Sequence, residues 1–353
     1  MRADVDNVQE ILGRAVEAVA RQTGVHFKQY QKLPDNGIAQ PDAFVFLKEN
    51  GQKYAVEIKK WAQNTNLGAI VNQVNQLPGQ GLLVADFVNP KMAEKLREQN
   101  VQFIDAAGNA FINALPVYVY VTGNRRRIEA TVITNDGAKR AFEPKGLTVV
   151  YAFLKDPELV NAPYRAIAEQ TGAAVGTVGW VLNALKAGDF VRENIKGKGR
   201  RLVNCKKLLD RFVEAWPEKL RPKQYIGTFI TDDPNWWKAI DINQYDALWG
   251  GEIAGAKYTD YLKPKIATVY LPENKRVQFM QDMKLRKAND WAEVENSRVE
   301  ILRPFWPETN KPEKEMTDPI LTYADLVATA DPRNLEVAKR IFDEHIAQYC
   351  RED

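Results

Sequence analysis

The segment from residue 145 to residue 205 carries the pattern that most restricts how this chain can fold. Three short helical stretches end in turn at Pro157, Gly172 and Gly188, because proline and glycine stop helices. Two short strands follow, joined by a Gly-Lys-Gly loop at positions 197–199. This order of helices and strands predicts a winged helix-turn-helix over residues 142–216, in which the two strands form the wing.

The turn between the second and third helices divides the neighbouring side chains into two sets. Helical spacing predicts that four apolar side chains face inward: Ile167, Ala168, Val175 and Val178. The opposite face of the third helix would enter the major groove of DNA, where side chains read base edges. The residues predicted to face DNA from this helix are Thr177, Trp180, Asn183 and Lys186.

Positive charge is concentrated in the same segment. The whole chain has a formal net charge of +3, whereas residues 143–214 hold 12 Lys and Arg against 8 Asp and Glu, a net of +4. A local basic surplus suits a surface that faces phosphates. In or beside the wing, the residues predicted to contact phosphates are Lys196, Lys198, Arg200 and Arg201. The sequence therefore predicts double-stranded DNA as a partner; the alternative is an ordinary three-helix bundle with a solvated basic loop.

Residues 1–141 show a different pattern, in which helical and strand-like stretches alternate. An amphipathic helix precedes two strand-like runs that are separated by Glu49, Asn50 and Gly51, a signal for a hairpin. Further helices and strands alternate up to about residue 140, which predicts an α/β domain. The arrangement resembles the restriction-endonuclease-like core.

Three residues of this domain form a candidate nuclease site. Asp42 follows a proline and Glu57-Ile58-Lys59 comes fifteen residues later, which matches the PD-(D/E)xK pattern. Asp42 and Glu57 are the predicted metal ligands, because two carboxylates on neighbouring strands can share Mg²⁺. Lys59 lies on the same face as Glu57 and would orient or activate the attacking water. Weaker candidates are Glu10, as a further carboxylate, and Asn72, Gln73 or Gln76, as phosphate contacts.

The nuclease pattern leaves three interpretations open, because Asp and Glu-x-Lys are common residues. The site is an active metal-dependent endonuclease that the winged helix directs to its target, an inherited nuclease core that no longer cuts, or a surface ion pair on an amphipathic strand. Only the first interpretation requires a Mg²⁺ cofactor.

Residues 217–353 form the third predicted domain, of the α+β class, which holds five of the eight tryptophans. Short segments resemble the AbiEi family of type IV antitoxins and transcriptional regulators: LWGGEIAGA at 248–256, YLKP at 261–264, LTYADL at 321–326 and DPRN at 331–334. The segment FIDAAGN at 103–109 is similar to long members of that family. The resemblance implies a bacterial regulator that represses its own promoter and counteracts a nucleotidyltransferase toxin without forming a stable complex with it.

The chain departs from this family in one respect. Shorter members begin with the winged helix, whereas this chain places the nuclease-like domain ahead of it, and nothing in the family suggests catalysis. The leading hypothesis is a DNA-binding transcriptional regulator of the AbiEi type. The alternatives are a divalent-metal-dependent endonuclease and a scaffold whose aromatic-rich last domain binds protein. A homodimer is a further expectation, since repressors often read paired half-sites.

Composition adds expectations about the surroundings of the chain. No apolar run has the length of a membrane span or the character of a signal peptide, which favours the cytoplasm. The only cysteines, Cys205 and Cys350, fit neither a disulfide framework nor a thiolate metal site. His26 and His345 are isolated and are interpreted as structural or surface residues.

Overall fold

A computed structural model describes residues 2–30, 41–59, 66–124, 140–193, 199–287, 297–307 and 315–350. The contacts divide the chain into two compact units, Met1–Thr134 and Asn135–Asp353. None of the helices among the described residues has the length and apolar character needed to cross a membrane.

The N-terminal unit is built on a mixed sheet of seven strands in the part of the chain that is described. The strands are β1 (Phe27–Tyr30), β2 (Ala43–Leu47), β3 (Lys53–Lys59), β4 (Gln80–Ala85), β5 (Phe103–Asp105), β6 (Ala110–Ala114) and β7 (Val117–Val121). They lie side by side in chain order. Neighbours are antiparallel from β1 to β3, parallel from β3 to β5 and antiparallel from β5 to β7.

The helices of this unit are α1 (Arg2–Thr23), α2 (Leu67–Asn75) and α3 (Pro90–Glu98). The predicted hairpin turn is confirmed, and Gly51 adopts φ +73°, a left-handed conformation that glycine accepts without steric cost. The parallel pairs need crossover connections, and α2 and α3 supply them. The predicted α/β organisation is therefore confirmed, while the likeness to a restriction endonuclease stays a prediction.

The core of the N-terminal unit lies between α1 and one face of the sheet. Along α1 the buried side chains recur at helical spacing, at Ile11, Leu12, Ala15 and Val19. They share a core with every second residue of β3, namely Tyr54, Val56 and Ile58. Because side chains alternate along a strand, Glu57 and Lys59 lie on the other face, and the neighbouring helix α2 contacts β3 and β4.

The second unit begins with the predicted order of three helices and two strands. These are α4 (Pro144–Lys155), α5 (Tyr164–Thr171), α6 (Val175–Ala187), β8 (Val191–Glu193) and β9 (Arg200–Leu202), with a 3₁₀ turn at Pro157–Asn161. The two strands pair antiparallel and form a hairpin. Gly172 ends α5 at φ +66°, in the left-handed conformation that is common at the residue after a helix.

Two side-chain orientations predicted for α6 are wrong. Val175 was expected to face inward but is 44% exposed at the first residue of the helix. Thr177 was expected to face outward but is only 9% exposed. It precedes Val181 by four residues, so the two side chains share one helical face, and that face is packed. The inward positions of Ile167, Ala168 and Val178 are confirmed.

The remainder of the second unit combines a four-stranded mixed sheet with helices. The strands are β10 (Tyr225–Ile230), β11 (Leu248–Gly250), β12 (Ile266–Tyr270) and β13 (Arg298–Leu302), in the order β10-β13-β12-β11. The helices are α7 (Cys205–Ala215), α8 (Arg221–Gln224), α9 (Gly251–Thr259), α10 (Arg276–Asp282), α11 (Pro319–Ala328) and α12 (Pro332–Ile341). A π-helical turn at Phe342–Ile346 and a 3₁₀ turn at Ala347–Tyr349 follow α12.

Helices α11 and α12 each begin at an Asp-Pro pair. Asp318 accepts hydrogen bonds from the backbone N–H groups of Ile320 and Leu321, and Asp331 accepts one from Arg333. Each aspartate is an N-cap followed by proline at the first helical position, where a missing N–H costs nothing. The predicted domain boundary at 216/217 stays a prediction; it lies where α7 continues into the π-helical turn Trp216–Leu220.

Candidate functional site

The outward face of α6 presents few but distinctive side chains. Trp180 is 36% exposed, and Asn183 is also exposed. Gly179, beside Trp180, leaves room for the ring of Tyr164 from α5, whose nearest carbon lies 3.4 Å from the position a Cβ would take. Tyr164 is itself 38% exposed. An aromatic and amide surface therefore spans α5 and α6.

The hairpin places two guanidinium groups on its solvent face. Val191 pairs with Leu202 across the strands, and Arg192 pairs with Arg201. Val191 is buried, and because orientation alternates along a strand, Arg192 and Arg201 point the other way, where both are exposed. Arg192 donates from Nε and Nη2 to both carboxylate oxygens of Asp189, at 2.8 and 2.7 Å. This pairing lowers the pKa of Asp189.

Two of the predicted DNA contacts have partners within the protein. The Lys186 Nζ lies 2.6 Å from Oε1 of Glu193 and lowers the pKa of that carboxyl group. Arg200 donates from Nη2 to the carbonyl oxygen of Ala162 and places its guanidinium 5.2 Å from the ring centroid of Tyr164. Arg200 therefore attaches β9 to the segment before α5, and Arg201 is the guanidinium that β9 turns to solvent.

The other predicted contacts differ in their status. Lys196 and Lys198 lie outside the described residues. Thr177 is buried, so its side chain does not reach the surface of α6. Sequence reasoning missed Arg192. Apolar and charged residues alternate along Val191, Arg192 and Glu193, opposite a basic strand, and this alternation could have indicated that Arg192 faces solvent. No signal in the sequence showed that Arg200 would be used inside the protein.

In the N-terminal unit, Asp42 and Glu57 lie next to each other across two strands. Ala43 pairs with Val56, so Asp42 stands one step beyond, opposite Glu57. One carboxylate oxygen of Asp42 accepts the backbone N–H of Ile58 at 2.8 Å. Glu57 and Lys59 form an ion pair of 2.9 Å, and their side chains are 16% and 14% exposed.

Helix α2, which contacts β3, carries buried polar side chains. Asn72 and Gln73 are buried, and neither the nitrogen nor the oxygen of the Gln73 amide makes a hydrogen bond within the described part of the chain. Glu10 on α1 is exposed. Among the described residues, no group of three His, Cys, Asp or Glu side chains is arranged to hold a metal ion.

A buried polar network lies beside a cavity of about 580 Å³ in the second unit. Asp325 on α11 accepts hydrogen bonds from Trp216 Nε1 at 3.0 Å and from the Tyr270 hydroxyl at 2.9 Å. Arg221 lines the cavity and donates to Glu300 at 2.5 Å, and its Nε lies 3.6 Å from Asp325. Burial raises the pKa of Asp325, and Arg221 opposes that rise.

The region that holds this network is similar to a known protein family. Residues 201–347 match a family model described as "Transcriptional regulator, AbiEi antitoxin, Type IV TA system". The AbiEi-like region contains the segments at 248–256, 261–264, 321–326 and 331–334, and it begins at Arg201 in strand β9. The segment at 103–109 and all the described helices before the hairpin lie outside it. No curated protein and no solved structure matches the chain.

Proposed function

We propose that the protein is a DNA-binding transcriptional regulator of the AbiEi antitoxin kind, in which α4–α6 and the β8–β9 hairpin act as a winged helix-turn-helix. The observation that carries the proposal is the outward pair Arg192 and Arg201 on the hairpin, in the same unit as the exposed Trp180 and Asn183 of α6. Charge on the hairpin suits phosphates, while an aromatic ring and an amide on a helix suit base edges. The AbiEi-like region that follows supports the regulatory assignment.

Each of these side chains has its own role in DNA binding. Arg201 contacts phosphates and sets the orientation of the hairpin, together with Lys196 and Lys198, and Arg192 lies beside Arg201, held by Asp189. Asn183 reads adenine, because its amide can donate and accept at the same base edge. Trp180 packs against the groove, and Arg200 and Lys186 hold the hairpin in place. As in the antitoxins that the chain resembles, we propose functional pairing with a nucleotidyltransferase toxin without a stable complex, and a homodimer on paired half-sites.

The proposal is tested by binding of the full-length protein to a labelled duplex from upstream of its own gene. Arg201→Gln should weaken binding and reduce the slope of log K against log salt by roughly 0.9, the value for one lost phosphate contact. Lys263→Gln is the matched control, because Lys263 is exposed in the same unit and loses the same charge. Equal affinity and equal slope for both variants would overturn the proposal.

Base reading is tested with the same duplex and a scrambled one. Asn183→Ala should cost about 1 to 3 kcal/mol of discrimination between the two duplexes while leaving affinity for the scrambled duplex almost unchanged. A loss that is the same for both duplexes would mean that Asn183 contacts the backbone instead of a base.

A metal-dependent endonuclease is the second candidate function, favoured by the position of Asp42 opposite Glu57. In this role the two carboxylates would bind Mg²⁺, which would polarise the phosphate, and Lys59 would leave Glu57 to stabilise the charge that develops. Full-length protein is incubated with plasmid and Mg²⁺ or Mn²⁺, beside Asp42→Ala and Glu57→Ala. Cutting that both variants abolish would establish the nuclease; cutting that survives in them would come from another protein in the preparation.

A further inference from the structure

The two cysteines of the chain lie together, although 145 residues separate them. Cys205 is the first residue of α7, and Cys350 follows the last 3₁₀ turn. Their Sγ atoms are 2.6 Å apart. Both are free cysteines. Spacing along the chain carried no information about this pair, which the return of the C-terminal helices to α7 creates.

The packing around the sulfur atoms is close on both sides. Cys205 is 8% exposed and Cys350 is 5% exposed. A second contact joins the same two segments, because the Lys206 Nζ of α7 lies 5.4 Å from the ring centroid of Phe342 in the π-helical turn. The pair is thus held by a packed interface, and a bond between the sulfur atoms requires little rearrangement of the backbone.

We propose that Cys205 and Cys350 are a redox modification site that a small hydroperoxide converts to an intramolecular disulfide, which fastens the C-terminal segment to α7. Burial selects the class of oxidant, since the two residues are only 8% and 5% exposed, which leaves room for a molecule as small as hydrogen peroxide and excludes a bulky disulfide such as oxidised glutathione. The inference concerns the thiols alone and does not depend on DNA binding.

The two thiols share a hydrogen bond in which either sulfur can be the donor. This bond, and then burial, raise the pKa of the Cys350 thiol. The sulfur of one cysteine attacks the terminal oxygen of the hydroperoxide, the O–O bond breaks, and a sulfenic acid and an alcohol (water, from hydrogen peroxide) form. The sulfur of the other cysteine then attacks the sulfenic sulfur, the S–S bond forms, and the S–O bond breaks to release water. Two thiols lose two electrons, and the peroxide gains them.

The bond would change the stability of the second unit. A link across 145 residues restricts the unfolded chain strongly, so the oxidised protein should melt at a Tm higher by roughly 5 to 10 °C. Amide hydrogen exchange in residues 339–350 should slow, because the end of the chain can no longer separate from α7 while the bond is intact.

The experiment uses the reduced full-length protein treated with hydrogen peroxide and analysed without reducing agent. The expected results are a peptide that links Cys205 to Cys350, an intact mass lower by two hydrogen atoms, and a rise in Tm that dithiothreitol reverses. Cys205→Ser and Cys350→Ser are each expected to show no mass loss and no rise in Tm, and if one fails to fold the other serves alone. Disulfide-linked dimers, sulfinic acid without a link, or a linked protein with unchanged Tm would each overturn the proposal.

Discussion

Asp105 shows at the level of one residue how the N-terminal unit tolerates a buried carboxylate. Its side chain is fully buried and accepts hydrogen bonds from the backbone N–H groups of Val88, Ala107 and Asn109 and from the Asn109 side chain. Burial raises the pKa of Asp105, and these hydrogen bonds oppose the rise. The segment FIDAAGN is thus strand β5 and the turn that follows it, organised around one acidic side chain.

Replacing Asp105 should therefore destabilise this unit strongly. Asp105→Ala leaves three backbone N–H groups and one side-chain amide without their acceptor, and we expect a loss of about 3 kcal/mol or more in the free energy of unfolding. Urea unfolding followed by circular dichroism measures the change. Glu98→Ala, an exposed position on α3, should alter it by less than about 0.5 kcal/mol. A loss below about 1 kcal/mol for Asp105→Ala would show that other acceptors replace the carboxylate.

Tyr54 gives the same unit a defined response to alkaline pH. Its hydroxyl donates to Oε1 of Gln102 at 3.0 Å, and burial raises its pKa to about 12. The folded state holds the proton more tightly than the unfolded state, in which the pKa is near 10. The contribution of Tyr54 to stability is thus complete below pH 10 and is lost as the pH rises towards 12.

We expect the Tyr54→Phe variant to lose less stability in that range. Between pH 10 and pH 11, its free energy of unfolding should fall by about 1 kcal/mol less than that of the unaltered protein. Urea titrations at a series of pH values measure the difference. Tyr118→Phe, at a position that is 60% exposed, is the control and should follow the unaltered protein. Parallel pH profiles for Tyr54→Phe and the unaltered protein would contradict the assignment.

At the level of elements, the turn between α5 and α6 rests on backbone conformation more than on contacts. A Cβ at Gly172 would meet its nearest neighbour, Pro307, at an ordinary 3.5 Å, so space is not the constraint. The constraint is φ +66°. Gly176 is the second residue of α6 and has helical backbone. No atom lies within 4 Å of the position that a Cβ would take there.

Alanine at these two glycines should therefore have opposite effects. Gly172→Ala should cost about 1 kcal/mol, since a side chain disfavours the left-handed conformation. Gly176→Ala should gain about 0.5 to 1 kcal/mol, since alanine favours helix. Thermal unfolding of both variants tests the pair. Destabilisation by Gly176→Ala would mean that the N-terminal turn of α6 is not helical in solution.

The elements could be predicted from the sequence because their signals are local. Gly172 and Gly188 end helices where they stand, and Asn50 and Gly51 make a hairpin turn, whatever the rest of the chain does. The orientation of Thr177 could not be predicted as easily. It depends on how α6 rotates to bury Val178 and Val181, and a helix with few polar residues gives a weak signal for rotation.

The candidate sites were predicted less completely than the elements, for the same physical reason. Arg201 could be recognised by its charge, and its outward direction followed from strand alternation once the pairing was known. The use of Arg200 on Ala162, and the meeting of Cys205 with Cys350, depend on contacts between distant parts of the chain. Neither the composition nor the periodicity of a sequence indicates which distant residues come into contact.

At the scale of the whole molecule, helices α4–α6 and the AbiEi-like region share packing within one unit. Rings from both parts stack in series: Tyr151 on Phe212 at 5.9 Å, Phe212 on Trp216 at 6.1 Å, and Trp216 near Phe305 at 5.5 Å. The Tyr151 hydroxyl donates to Asp318, the N-cap of α11. The network of Asp325 lies at the end of this series, where it binds Trp216.

This shared packing predicts that damage in the AbiEi-like region unfolds helices α4–α6 as well. Asp325→Ala leaves Trp216 Nε1 and the Tyr270 hydroxyl without an acceptor and removes a negative charge from beside Arg221, which we expect to cost about 3 to 5 kcal/mol. Calorimetry should show one transition for the second unit, shifted as a whole to lower temperature. Asp241→Ala, an exposed N-cap in the same unit, should cost only about 1 kcal/mol. If Asp325→Ala splits the transition and leaves the melting of α4–α6 unchanged, then residues 142–216 and 217–353 fold as independent domains and the aromatic series does not couple them.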